Sequence, residues 1–334
     1  MADACDHFAF AAGLTLELKG PEFARDHFRS EYGARAVQEP GEPSVVIEFG
    51  PAAGGREERH KSVHWRLELG DPAERPLSAR IEVGGRPRRF VLSLLQGYIV
   101  EPLVAVAASR AGYLLLPAAA VETEGGAAVV LGRSRTGKSS LCAAAVAAGR
   151  RILGDDHILL DRDRRVRAFP RRLRVYPDLT ESAPEAFRRL PRQARLALRL
   201  RAVVRAITRG YVSPPLWLRV EDLGGSFPLA PFPLTRVLAI RRNADASRLE
   251  RRQLSLESAV ELAQAAAEEQ RVRLAGGPNA DSWRKTLAAI KEADRAILEK
   301  ALKDLPAEQA RLPTAWGPRR SVTALAELLG FDAA

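Results

Sequence analysis

Residues 132–140 read GRSRTGKSS, so Gly132, Gly137, Lys138 and Ser139 fit the spacing G-x-x-x-x-G-K-[ST]. This spacing constrains the fold as much as the chemistry. Gly132 must end a strand and Gly137 must open a helix, because only a tight loop between them turns successive backbone N–H groups toward one point. The flanking sequence supplies both elements. "AAVVLG" (127–132) is a short apolar strand, and "KSSLCAAAVAAG" (138–149) is an Ala-rich helix with a terminal Gly. The loop Gly132, Arg133, Ser134, Arg135, Thr136, Gly137, Lys138, Ser139 and Ser140 is therefore expected to cradle a polyphosphate on its backbone amides. Lys138 reaches the β- and γ-phosphates, and the Ser139 hydroxyl binds Mg²⁺. The plain alternative is a glycine turn at a helix start, with Lys138 solvated.

A second feature lies 17 positions after Lys138, where Asp155 and Asp156 stand side by side at a bend in the strand-like "RRILGDDHILL". Adjacent carboxylates repel each other unless a cation or proton donor is near. Mg²⁺ on a nucleotide supplies that charge. One Asp then holds the metal and the other accepts the proton of an attacking hydroxyl. A pair serving the metal only, or an exposed turn, are the competing readings.

The stretch "VVLGRSRTGKSSLCAAAVAAGRRILGDDHILLD" (129–161) resembles the core of the HPr kinase/phosphorylase superfamily, especially its shorter HPr-kinase-like relatives in bacterial biosynthetic gene clusters. "AFPRRLRVYPD" is similar to the strand that follows the acidic pair in that family. "FPLTRVLAI" is similar to its next core strand, and "RLPTAWG" with "SVTALAELL" to its last strand and helix. The resemblance is closest over about 114–178. It implies an α/β fold in which a P-loop domain of HPr-kinase-like topology follows a smaller N-terminal α/β domain. It also implies ATP-dependent phosphorylation of a hydroxyl, with Asp155 as the base, Lys138 on the phosphates, and Asp156 with Ser139 near Mg²⁺. This chain departs from the family in two places. Arg135 stands where the family often has Gly, and Pro117 stands where many members have His; the second removes the support for a reverse, phosphate-driven reaction.

The formal net charge is +11, and its distribution is more telling than its size. Arg162–Arg209 holds 15 arginines against Asp163, Asp178, Glu181 and Glu185, which accounts for the whole excess. The partner of this segment is expected to be anionic: phosphate, an acidic peptide, or less readily nucleic acid, since no aromatic interleaving supports a single-strand stacking platform. A solvated helix face is the competing reading. Arg171, Arg172 and Arg174 follow closely on the acidic strand and are candidates to touch the transferring phosphoryl group. Arg195, Arg199 and Arg205 are candidates for substrate recognition. Leu196, Leu200, Val203 and Ile207 share one face of the same predicted helix, largely apart from Arg195, Arg199, Arg205 and Arg209.

Other groups carry weaker expectations. Glu221 and Asp222 are accessory metal ligands or, more simply, a solvated loop. His157 is packed rather than catalytic, and Cys142 is a small buried apolar residue. His7, His27, His60 and His64 lack ligand spacing, and with only Cys5 and Cys142 neither a disulfide framework nor a thiolate cluster is expected. The N-terminus has no basic region before its apolar stretch, and Glu101 and Arg110 interrupt the most apolar segment. A cytoplasmic protein without a membrane partner is expected; a homo-oligomer stays open.

These features divide the chain into a small N-terminal α/β domain, 1–110, and a catalytic domain, 111–334. The expected reaction is transfer of the ATP γ-phosphoryl group to a Ser/Thr-type hydroxyl of a peptide. By analogy with tailoring kinases of ribosomally made peptides, that peptide is a lasso-type precursor. A kinase for a small alcohol, or a nucleotide-dependent regulatory module without transfer, are the alternatives.

Overall fold

The computed structural model of the protein describes residues 4–39, 41–276 and 279–333. Met1, Ala2 and Asp3, where the N-terminal stretch begins, lie outside the described residues. The fold is mixed α/β and divides into two compact units. The first comprises Met1–Leu116, Leu159–Arg162 and Ala263–Leu298; the second comprises Pro117–Ile158, Asp163–Leu262 and Glu299–Ala334.

In the first unit, β1 (Cys5–Ala11), β2 (Leu14–Lys19), β3 (Val45–Phe49), β4 (Arg56–His60), β5 (Val63–Leu69) and β6 (Leu77–Gly85) form one mixed sheet in the order β1-β2-β3-β6-β5-β4. The stretch "FAFAAGLTLEL" is two strands rather than one, because Gly13 at φ 69° closes an antiparallel hairpin. Alternation places Phe8, Phe10, Leu16 and Leu18 on the buried face. Against that face pack α1 (Glu22–Tyr32) and a continuous helical run of α2 (Arg88–Leu95), a π-turn (Gln96–Val100) and α3 (Glu101–Arg110). The stretch "RRFVLSLL" is helical, with Pro87 immediately before it. Arg88–Arg110 is long and apolar enough to cross a membrane, and 72% of its most apolar window is buried inside the protein. Strand β7 (Tyr113–Leu116) packs on α3. The helical segment Ala263–Leu298 belongs to this unit, where Trp283 Nε1 and Asn279 Nδ2 donate to the carbonyls of Gly70 (3.2 Å) and Leu69 (3.3 Å).

The second unit holds β8 (Ala119–Thr123), β9 (Gly126–Gly132), α4 (Lys138–Ala147) and β10 (Ile152–Gly154). The chain passes from one unit to the other within β11 (Ile158–Asp161) and continues through β12 (Arg165–Ala168), β13 (Leu173–Val175), α5 (Leu179–Ser182), α6 (Pro184–Arg189), α7 (Arg192–Ile207), β14 (Leu216–Leu218), β15 (Phe232–Asn243) and β16 (Glu250–Gln253). Then come α8 (Leu256–Arg271), α9 (Ala280–Leu302), β17 (Ala307–Pro313) and α10 (Pro318–Leu329). Strands β9, β15 and β17 run parallel, with β15 between the other two. Strand β8 is antiparallel to β9, and β10 to β8, so β10 points the same way as the parallel three. Leu141–Ala147 of α4 are all buried, in one cluster with residues of β8, β9, α6 and α10. A helix enclosed on all sides needs small side chains, hence its run of alanines.

Candidate functional site

The four strands that share a direction end on the same side of their sheet. In α/β sheets ligands gather outside these carboxyl ends. Here β9 ends at the loop 133–137, β10 at Asp155–Asp156, β15 at Arg242–Asn243, and β17 just before Thr314 and Trp316. Ser134, Lys138, Ser139, Asp156, Arg242 and Trp316 line one cavity of about 460 Å³. Arg135, Gly137, Ser140 and Arg174 line it too.

The loop has the geometry its sequence calls for. Gly137 caps α4 at φ 106°, a backbone conformation that a side chain resists. Arg135 sits at φ 67°, in the left-handed conformation that favours glycine. Gly132, Arg133 and Thr136 support the loop from behind. Thr136 Oγ1 donates to the Arg133 carbonyl (2.8 Å), and Lys138 Nζ donates to the carbonyls of Gly132 and Arg133, the latter at 3.1 Å.

The two acids behave differently. The turn from Gly154 to His157 is tight: a side chain on Gly154 would collide with the His157 carbonyl. Asp155 is turned inward and is 2% exposed, with no hydrogen-bond partner at ordinary distance for either carboxylate oxygen. Burial, and then repulsion by Asp156, push its pKa up to about 7. The Ser139 hydroxyl, the Lys138 charge and the Arg174 backbone pull it partly back. Asp156 keeps 33% of its side chain exposed and faces the cavity. Burial pushes its carboxyl up too, but Arg171 first, then Arg174, His157 and Lys138, outweigh that and hold it below the ordinary range. The turn therefore offers one carboxyl able to hold a proton near neutrality and one that stays anionic.

The candidate substrate arginines divide by position. Arg171 is buried; its Nη1 lies 3.5 Å from Asp156 Oδ2 and donates to His157 Nδ1 at 3.2 Å. It orients the acidic turn from behind. His157, edge-on to Phe169 at 6.0 Å, is packed as expected. Arg172 stacks over Trp217 at 5.8 Å and does not line the cavity, whereas Arg174 on β13 does. Arg195 and Arg199 do not line it either; Arg199 lies over the Phe187 ring at 5.9 Å. Asp222 Oδ2 accepts from the Arg219 amide (2.8 Å) and caps a short 3-10 turn, and neither Glu221 nor Asp222 reaches the cavity. Cys142 is buried, its thiol pushed well above its ordinary value first by that burial.

Arg242 lines the cavity and was not among the candidates for it; Arg205, a candidate for acceptor recognition along with Arg195 and Arg199, lines it too. Arg242 was findable. It ends an apolar strand parallel to β9, in a register that pairs Ile240 with Gly132, so its side chain arrives beside the loop. Arg242 Nη1 donates to Ser321 Oγ (2.8 Å) and to the Pro313 carbonyl (3.2 Å). In the first unit, Cys5, His7 and Glu17 bring donor atoms within 4.8 Å of one another, which the spacing of histidines alone did not signal. The register supplies it: Cys5 and His7 share a strand face, and His7 opposes Glu17. The Glu17 carboxylate is already paired with Lys19 at 3.2 Å. No protein-family model and no curated protein matches the chain.

Proposed function

We propose that the protein is a cytoplasmic ATP-dependent phosphotransferase of HPr-kinase-like topology, acting on an alcohol. The observation that carries this reading is the convergence of Lys138, Ser139 and the Asp155–Asp156 turn at the carboxyl ends of co-directional strands, around one cavity. A volume of about 460 Å³ suits a nucleotide, since ligand pockets run roughly 300–1,000 Å³.

Donor chemistry supports Mg²⁺ at Ser139 and Asp156, a hydroxyl and a carboxylate that both border the cavity. When bound, the cation neutralises phosphate charge. The chain's own groups divide the remaining work. The loop amides and Lys138 orient the β- and γ-phosphates. Arg174 and Arg242 present fixed positive charge at the cavity wall, where charge spreads over the transferring group. Asp155 takes the proton of the acceptor hydroxyl. Base strength selects it over Asp156: a carboxyl near pKa 7 accepts a proton at neutral pH better than one held low by arginines. Access favours Asp156, but catalytic contacts tighten on substrate binding, so burial of Asp155 without ligand weighs less than basicity. The acceptor is a Ser/Thr-type hydroxyl of an acidic peptide, lasso-type precursors being the nearest analogy.

The test has two arms. In isothermal titration, Mg·ATP binds the wild type, and Lys138→Ala removes most of that affinity because the point charge over the phosphates is lost. Unchanged affinity overturns the phosphate site. In the second arm, labelled ATP is incubated with a peptide pool and a metabolite-alcohol pool. Label in peptide supports the reading, label only in small alcohols changes the substrate class, and binding without transfer leaves a regulatory module.

A further inference from the structure

Helix α7 is turned the opposite way from what its pattern suggests. Leu196, Leu200, Val203 and Ile207 do share one face, and they are 55–77% exposed. Leu198, on the other side, is the buried residue, with Ala194 packed against the same core. The exposed face is therefore an apolar stripe from Leu196 to Ile207, about 17 Å long at 1.5 Å per residue. Single exposed leucines are ordinary, but a contiguous stripe marks a contact surface. Arg192 and Arg199 lie beside the stripe, and no acidic residue falls between Arg192 and Gly210. At its C-terminal end α7 leads to the site already described: Arg205, Gly210 and Ser213 line the cavity that also holds Lys138 and Asp156.

We propose that α7 is the docking surface for the acceptor: an amphipathic peptide segment that lays apolar side chains on the Leu196–Ile207 stripe and acidic side chains beside the arginines. The identification of the docked segment as the acceptor rests on the phosphotransferase reading. Three observations select this occupant. Exposed leucines require an apolar side, arginines without local acids require a negative one, and the rim position delivers the residues that follow into the cavity. An interfacial helix also pairs an apolar Leu face with arginines, so a lipid surface is an outcome of the test; the run of α7 into the cavity through Arg205, Gly210 and Ser213 favours the acceptor. Nucleic acid gains nothing from four aliphatic side chains.

The probe is a fluorescein-labelled helical peptide with Leu at every third or fourth position and Glu elsewhere, measured by anisotropy on the full chain. Binding in the micromolar range is expected. Combined Leu196→Ser, Leu200→Ser and Ile207→Ser should weaken it by at least about tenfold, since a few buried anchors carry most of a contact. These side chains are exposed, so the fold should survive, as circular dichroism will check. Arg192→Gln with Arg199→Gln should weaken binding at low salt, with the difference shrinking as salt screens exposed charge beyond about 8–10 Å. Equal binding by the wild type and the serine variant overturns the proposal. So does a wild type that ignores the peptide but is captured by phosphatidylserine vesicles or duplex DNA, or that sediments as a dimer the serine variant abolishes. Titration of Mg·ATP into the same samples scores the phosphate site separately: lost peptide binding with intact ATP binding fails docking alone. Peptide binding without any ATP affinity fails the phosphotransferase reading alone.

Discussion

Each unit of the molecule buries one aspartate almost completely, and the two are supported in different ways. Asp294, in the first unit, is fully buried and bonds Arg271, itself buried, whose Nε also donates to the Ala267 carbonyl at 3.0 Å. Burial pushes the Asp294 carboxyl up and the Arg271 charge pulls it back, though not to its ordinary value. Asp155 has no such counter-ion bonded to it: neither oxygen has a hydrogen-bond partner at ordinary distance, whereas of the Asp294 oxygens only Oδ1 lacks one, and the nearest like charge to Asp155 is the next residue. His27, Gln96, Glu101 and Tyr32 form a hydrogen-bonded chain with links of 2.9–3.1 Å. A satisfied buried network stabilises a unique core, whereas a buried carboxyl without a bonded counter-ion at the edge of a cavity is a candidate to take a ligand or a proton.

Substituting each aspartate should separate the two cases. Asp155→Asn should lower phosphoryl transfer by about 10²–10⁴, the usual worth of a general base, while Mg·ATP still binds. Asp294→Ala should leave turnover per folded molecule unchanged but cost about 3–5 kcal/mol of stability, because Arg271 is left as an uncompensated buried charge. Steady-state kinetics and urea denaturation on both variants measure this. Near-normal turnover in Asp155→Asn, with Asp156→Asn inactive, would exchange the roles of the two acids.

The pH dependence of stability sharpens the same contrast. A carboxyl whose folded pKa exceeds its unfolded one favours folding in its protonated form. For Asp155 that contribution is complete below about pH 4 and is lost as pH rises through about 7. Without ligand, Asp155→Asn should therefore be more stable than the wild type at pH 8, by up to about 4 kcal/mol, and the gap should close toward pH 4. Urea midpoints at the two pH values decide it; a gap independent of pH would mean that the buried carboxyl does not titrate in this window.

The sequence made the second unit's site legible for a definite reason. Phosphate binding by a loop depends on local spacing, and Gly132, Gly137, Lys138 and Ser139 are close in sequence. Asp155 and Asp156 were legible because two adjacent acids at a strand end need an explanation. Less accessible was anything set by long-range packing. Periodicity placed Leu196, Leu200, Val203 and Ile207 on one face correctly, but a period says which residues share a face and not what that face meets. Arg171 was expected among the candidates for the transferring phosphoryl group, and only the fold brings it, buried, against His157 and Asp156. The Ala263–Leu298 segment carries ordinary helix composition, with nothing local to assign it to the first unit, where Trp283 and Asn279 bond Gly70 and Leu69.

The smallest expected effect tests whether backbone strain at the loop is functional. Arg135 at φ 67° and Lys61 at φ 55° both hold the left-handed conformation, which costs a side-chain-bearing residue roughly 1–2 kcal/mol. Lys61 lies in the short turn of the β4–β5 hairpin, where His60 pairs with Val63 and the strand twist favours such a conformation. Glycine relieves the strain but adds freedom to the unfolded chain, so each of Lys61→Gly and Arg135→Gly should gain only about 0.5–1 kcal/mol. Their stabilities should thus move together, and their functions should not. Lys61→Gly should leave Mg·ATP affinity untouched. Arg135→Gly removes a cation from the cavity wall and should weaken that affinity a few-fold, an effect that falls as salt rises. Paired thermal melts and titrations at two salt concentrations measure both quantities. If Arg135→Gly stabilises the fold and binds nucleotide as well as the wild type, Arg135 is strained without a role in phosphate binding, and the contrast between the units narrows to Asp155.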